Sequence, residues 1–134
     1  LLQAPGFFMD PRLLRAGLRP VRIGTPLRMI EFRAGDWRGV SGPVTPAATD
    51  MARAWESAQA VSVHAGADET TGPAVTVTLD GGSAIVFEFI DRSGQPELQR
   101  RDLGLRYVLD HALARELGLL EMTTETVPAE RAVH

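Results

Sequence analysis

The chain has 134 residues, of which 44% are hydrophobic, and a formal net charge of −3; this fits one domain with its own hydrophobic core. It contains no cysteine, so disulfides, zinc–thiolate sites and cysteine nucleophiles are excluded. Its 14 basic residues are all arginines and are scattered along the sequence. Nucleic-acid-binding proteins concentrate basic residues on one face, so we expect no nucleic-acid partner.

The N-terminal residues are apolar, with Leu1-Leu2 and Phe7-Phe8-Met9, and the first residue is not methionine. We therefore expect residues 1–9 to follow a removed signal or anchor segment, which would be the only contact with a membrane. Residues 10–121 are expected to form a single domain, and residues 122–134 a flexible tail.

The next segments predict a helix and then a hairpin. Asp10-Pro11 is typical of a helix start, and Gly17 would end this helix about two turns later. Apolar residues at roughly every second position over 21–32, broken by Gly24-Thr25-Pro26, predict one strand in which the proline marks a kink or a sheet edge. A turn over 34–36 returns the chain, and Trp37 should pack across the partner strand.

A helix and a strand follow. Residues 47–59 carry Met51, Ala54, Trp55 and Ala58 at the i, i+3, i+4 and i+7 positions. This spacing predicts an amphipathic helix whose apolar side faces a sheet. Weaker alternation over 60–65 predicts a half-buried strand.

The most regular pattern runs from Pro73 to Leu109 and predicts four consecutive strands. The predicted strands cover residues 75–79, 85–89, 97–101 and 105–109. Asp110 can cap a final helix over 111–117. Because short turns join most strands, the predicted fold is α+β, an antiparallel meander sheet of about five to six strands with two to three helices on one face.

One group of side chains resembles a metal or acid–base cluster. His64, Asp68 and Glu69 lie at a strand end and in the following loop, where a histidine and two carboxylates can meet. Their spacing matches no fixed metal motif, and solvated loop residues explain them more simply. They are the candidates for a metal site, and the sequence predicts no cofactor and no catalytic residue.

A second group of side chains is suited to binding. Arg100, Arg101 and Arg106 can hold carboxylates or phosphates through paired N–H groups, although alternation places Arg100 and Arg101 on opposite faces of a strand. Trp37 and Trp55 could line a groove, although packing in the core is the commoner role of tryptophan.

Two passages resemble a known group of proteins. They are Gly35-Asp36-Trp37 with Pro43-x-Thr45-Pro46-Ala47, and Leu98-x-Arg100-Arg101-Asp102-Leu103-Gly104-Leu105-x-Tyr107. Together they are similar to uncharacterised membrane-anchored domains of the bacterial envelope that occur beside auxiliary subunits of gliding-motility-type ABC transporters. The resemblance spans roughly residues 27–120. It implies a periplasmic location with an inner-membrane anchor upstream, and it implies no catalytic residues.

These observations favour a non-catalytic accessory domain that binds a protein, either an envelope protein or a second copy of this chain, through an open sheet edge or a helix face. One alternative is a small-molecule binding module with a pocket between the sheet and the helix over 46–59. The other is a metal-dependent or hydrolytic enzyme that uses His64, Asp68 and Glu69.

Overall fold

A computed structural model of the chain describes residues 10–15, 17–43, 46–66 and 72–119. The described residues form one eight-stranded sheet, in the order β3-β2-β1-β5-β6-β7-β8-β4, and all neighbouring strands are antiparallel. The elements are β1 (Pro20–Gly24), β2 (Met29–Arg33), β3 (Asp36–Ser41), α1 (Ala48–Ser57), β4 (Ser62–Ala65), β5 (Ala74–Leu79), β6 (Ala84–Arg92), β7 (Gln95–Arg100), β8 (Leu105–Val108) and α2 (His111–Glu116).

The predicted α+β class with an antiparallel sheet is confirmed, but the sheet has eight strands and not five to six. One reason is that the predicted strand over 21–32 is a hairpin of β1 and β2. Thr25 closes its turn: the hydroxyl Oγ1 accepts from the amides of Leu27 and Arg28 at 3.2 and 3.0 Å. The Thr25 amide also donates to the Arg28 carbonyl at 2.7 Å.

The strands of the meander lie where the alternating pattern predicted them. The turn between β6 and β7 is shorter than the predicted one, because Ser93 and Gly94 alone form it, with φ of 56° and 88°. Two residues with positive φ fit the right-handed twist of a tight hairpin. β6 therefore continues to Arg92, and the sheet gains pairing at Asp91 and Arg92.

The predicted helix over 10–17 is wrong for residues 10–15, which contain no helix. Arg12 instead forms an isolated β-bridge with Gln59. The Leu13 amide donates to the Ala58 carbonyl at 3.2 Å, and the Ala60 amide donates to the Pro11 carbonyl at 2.8 Å. The pairing with the chain after α1 buries Leu13, a tertiary contact that outweighs a local helix signal.

Both helices contribute side chains to one hydrophobic core above the sheet. Met51 and Trp55 of α1 are fully buried, as the helical spacing predicted. The Trp55 ring lies 5.5 Å from the Phe87 ring, and its indole Nε1 donates to the Leu117 carbonyl at 3.2 Å. Asp110 caps α2 as predicted, since its carboxylate accepts from the Leu113 amide at 2.7 Å.

Candidate functional site

The structure describes only one of the three residues of the predicted metal cluster. His64 is exposed on β4, and its Nε2 lies 3.2 Å from the Ser62 hydroxyl. Asp68 and Glu69 lie outside the described residues. Among the residues that are described, no group of three or more histidines and carboxylates is placed to hold a metal ion.

Arg100 and Arg101 lie on opposite faces of the sheet, so they do not form one basic patch. Arg100 lies over the Phe87 ring at 5.8 Å, and its Nη2 is 2.6 Å from Asp102 Oδ2. Arg101 pairs with Glu88 on the other face, with 2.8 Å between Nε and Oε1. Both guanidinium groups are thus already engaged by carboxylates of the same chain.

The sheet face opposite the core holds a polar network that the sequence pattern did not predict. Glu97 and Gln99 alternate with core residues, and both are buried. The Arg92 Nε lies 3.2 Å from Glu97 Oε1, and Arg106 Nη1 lies 3.5 Å from the same oxygen. Gln99 Nε2 donates to Glu88 Oε1 at 3.0 Å. Arg106 is therefore part of this network.

The two tryptophans occupy different environments. Trp55 is fully buried in the core between α1 and the sheet. Trp37 is partly exposed near the tip of the β2–β3 hairpin. Its ring lies 5.7 Å from the ring of Phe32, its register partner, which confirms the predicted packing across the hairpin.

Strand β3 forms one edge of the sheet and is accessible along its length. Within the described residues it pairs with β2 alone, and each of its residues except Trp37 is exposed. Val40 on β3 is 54% exposed, and Phe32 on β2 is 43% exposed. An edge strand directs alternate N–H and C=O groups away from its neighbour, where another strand can pair with them.

A buried arginine lies beside a cavity near the other end of β3. Arg28 is only 2% exposed, and its Nε and Nη1 have no hydrogen-bond partner. It lines a cavity of about 300 Å³ together with residues 39–43 and with Ala47 and Ala48. The burial of Arg28 was not predicted, because an arginine two residues after Pro26 in a turn is normally solvated.

Asp102 and Tyr107 are among the ionisable groups whose pKa values are shifted by their surroundings. The hydrogen bonds from Arg100 hold the pKa of Asp102 below its ordinary value of 3.8. Burial raises the pKa of Tyr107, a side chain that packs edge-on against Phe87. Neither group lies beside the cavity or on the edge strand, so we assign both to the structure of the sheet.

The Asp102–Arg100 pair predicts a small loss of stability in acid. Because the pKa of Asp102 is lower in the folded state than in the unfolded state, its ionised carboxylate stabilises the fold at pH values above the ordinary pKa of 3.8. This stabilisation is lost as the pH falls through the folded-state pKa. Asp102→Asn should lower the free energy of unfolding by less than about 1 kcal/mol at pH 6, since the pair is partly exposed. The difference in the free energy of unfolding between Asp102→Asn and wild type, measured by urea titration, should disappear as the pH falls from about 5 to about 2.

Asp80→Asn is the matched control for that prediction. Asp80 is exposed in the β5–β6 turn, and none of the described ion pairs includes it. The Asp80→Asn variant should remain within about 0.5 kcal/mol of wild type. If the free energies of unfolding of wild type and Asp102→Asn differed by the same amount across the acid range, the stabilising pair between Asp102 and Arg100 would be contradicted.

No protein-family model matches the sequence, and comparison with the curated proteins and with the solved structures gave no match either. The resemblance to envelope domains therefore stays a prediction. Of the helices that the structure describes, none has both the length and the apolar character needed to span a bilayer.

Proposed function

We propose that this chain is a non-catalytic interaction domain of the bacterial cell envelope that binds a partner protein by strand addition along β3. The observation that carries the proposal is the accessible edge of β3, which pairs on one side only within the described residues. Main-chain hydrogen bonds would supply affinity, and side-chain contacts at alternate positions would supply specificity.

Its length and the aromatic side chains near it support β3 over the opposite edge strand. Phe32 and Val40 are large exposed hydrophobic residues, and Trp37 lies between them in the chain. At the other edge, β4 has only four residues. Aromatic residues are enriched at protein interfaces, so the β2–β3 hairpin is the favoured docking surface.

The location and anchoring belong to the same proposal. A periplasmic domain held at the inner membrane by an upstream segment is what the resemblance implies, and the apolar residues within 1–9 agree with it. Two to three helices covering one face of the sheet would leave the edge strands open to a partner.

A photo-crosslinking residue at Val40 is expected to trap this partner in envelope preparations of cells that make the full-length protein. We expect a discrete adduct with one envelope protein or with a second copy of the chain. The same residue at Val86 is the control, because Val86 is 48% exposed but lies on β6, inside the sheet. Mass spectrometry of the adduct identifies the partner.

Hydrogen exchange on the purified complex tests the pairing itself. Strand addition should slow exchange at the outward-facing amides of β3 while leaving those of β6 unchanged. Equal adducts from positions 40 and 86, or a complex in which β3 exchanges as fast as in the free chain, would contradict the proposal.

A further inference from the structure

The guanidinium group of Arg28 is the most unusual buried group among the described residues. The β1–β2 turn holds its backbone, because the Arg28 amide and carbonyl both bond to Thr25. The side chain is 2% exposed, and Nε and Nη1 have no hydrogen-bond partner. The described ion pairs include no carboxylate that contacts it.

A buried arginine in this state is unfavourable in the absence of a partner. Arginine keeps its positive charge in proteins, and burial of a charge without an opposite charge or hydrogen bonds is strongly destabilising. A ligand with a negative charge would remove this penalty. Its binding would be favoured by the N–H groups on Nε and Nη1, which have no other hydrogen-bond partner.

The cavity next to Arg28 has the size and lining for such a ligand. It measures about 300 Å³, and its described lining contains neither aspartate nor glutamate. Gly39 and Gly42 lie in that lining, so two stretches of backbone are free of side chains there. Among the described lining residues, an anion in the cavity would have one positively charged neighbour, Arg28, and no carboxylate.

The N-terminus of α1 lies at the same cavity. Ala47 and Ala48 contribute to the lining, and α1 begins at Ala48. Its N-cap residue, Ala47, makes no side-chain hydrogen bond to the first turn, and the first N–H groups of a helix attract anions through their partial positive charge. The unpartnered nitrogens of Arg28 and the start of α1 are independent features, and Arg28, Ala47 and Ala48 all belong to the lining of this cavity.

We propose that the cavity between Arg28 and the N-terminus of α1 is a binding site for an oxyanion, the phosphate or carboxylate group of a small ligand. Two N–H groups of Arg28 bind the anion oxygens, and the first turn of α1 supplies further N–H donors. This site goes beyond strand addition along β3 and does not depend on it.

The test uses the 134-residue chain and simple salts at constant ionic strength. Sodium phosphate at ten times its dissociation constant should raise the Tm by about 5 °C relative to sodium chloride. Sodium acetate in the same assay distinguishes a phosphate site from a carboxylate site. A shift with either anion supports the proposal, and the absence of a shift with both overturns it.

Arg28→Met removes the charge and keeps an unbranched apolar side chain. The shift in Tm should disappear, and the Tm in chloride should equal or exceed that of wild type, because the unpartnered charge is gone. Arg53→Met is the matched control, because Arg53 is exposed on α1 and its replacement changes the net charge by the same amount. In this variant the rise in Tm with the anion should persist. A shift that survives in Arg28→Met would show an adventitious surface ion only.

A measurement on wild type keeps the proposal testable if Arg28→Met does not fold. The Nε–H signal of Arg28, assigned by through-bond NMR experiments, should move during titration with phosphate or acetate and saturate. A signal that does not move while the Tm rises would place the anion elsewhere and overturn the assignment to this cavity.

Discussion

Replacement of Trp55 by alanine is expected to lower the free energy of unfolding by about 4 kcal/mol. The side chain is fully buried, its ring packs 5.5 Å from Phe87, and its Nε1 donates to the Leu117 carbonyl. The variant loses the apolar contact, leaves a cavity and leaves a carbonyl without its donor. Urea unfolding followed by circular dichroism measures the change.

Two variants separate the parts of this effect. Trp55→Phe keeps an aromatic ring against Phe87 but removes the N–H donor, so we expect a loss of about 1–2 kcal/mol. Trp37→Ala, at a partly exposed position, should cost less than half as much as Trp55→Ala. A Trp55→Ala variant within about 1 kcal/mol of wild type would contradict the assigned place of this ring in the core.

Gly42→Ala is expected to lower the free energy of unfolding by about 3 kcal/mol. Gly42 has φ of +90°, a conformation that residues with a side chain rarely adopt. A methyl group there would also lie 2.1 Å from the Leu27 carbonyl oxygen and 2.7 Å from the Arg28 Cα. Both neighbours are backbone atoms of the β1–β2 turn, so neither moves without disturbing the turn.

Gly39→Ala is the control for this prediction. A Cβ at Gly39 on the edge strand meets no atom within 4 Å, so this variant should stay within about 0.5 kcal/mol of wild type. Urea unfolding of both variants at the same pH gives the comparison. If the two alanine variants were equally stable, the close approach of residue 42 to the β1–β2 turn would be wrong.

The parts of the fold that could be predicted are those controlled by neighbours in the sequence. The β5–β6 hairpin follows from alternation of apolar and polar side chains, and α1 follows from the spacing of Met51, Trp55 and Ala58. The cap of α2 is equally local, since Asp110 reaches an amide only three residues ahead. In each case the physical cause acts within about one helical turn or one hairpin.

The features that were predicted wrongly or not at all lie where segments far apart in the sequence come together in the fold. Asp10-Pro11 has the local signal of a helix start, but pairing of residues 11–13 with residues 58–60 prevents the helix. The burial of Glu97 was not predicted either, since it depends on salt bridges to Arg92 and Arg106 on the two neighbouring strands. Arg28 is buried at the β1–β2 turn, which Gly42, just after the end of β3, approaches closely.

The class of fold, the positions of most strands, both described helices and the absence of cysteine chemistry could be predicted from the amino-acid sequence alone, because periodicity and composition depend only on the residues and their order. The identity of the accessible edge strand and of the buried arginine became visible only in the folded chain. Both depend on strand order and on contacts between segments far apart in the chain, and a local pattern carries no information about either.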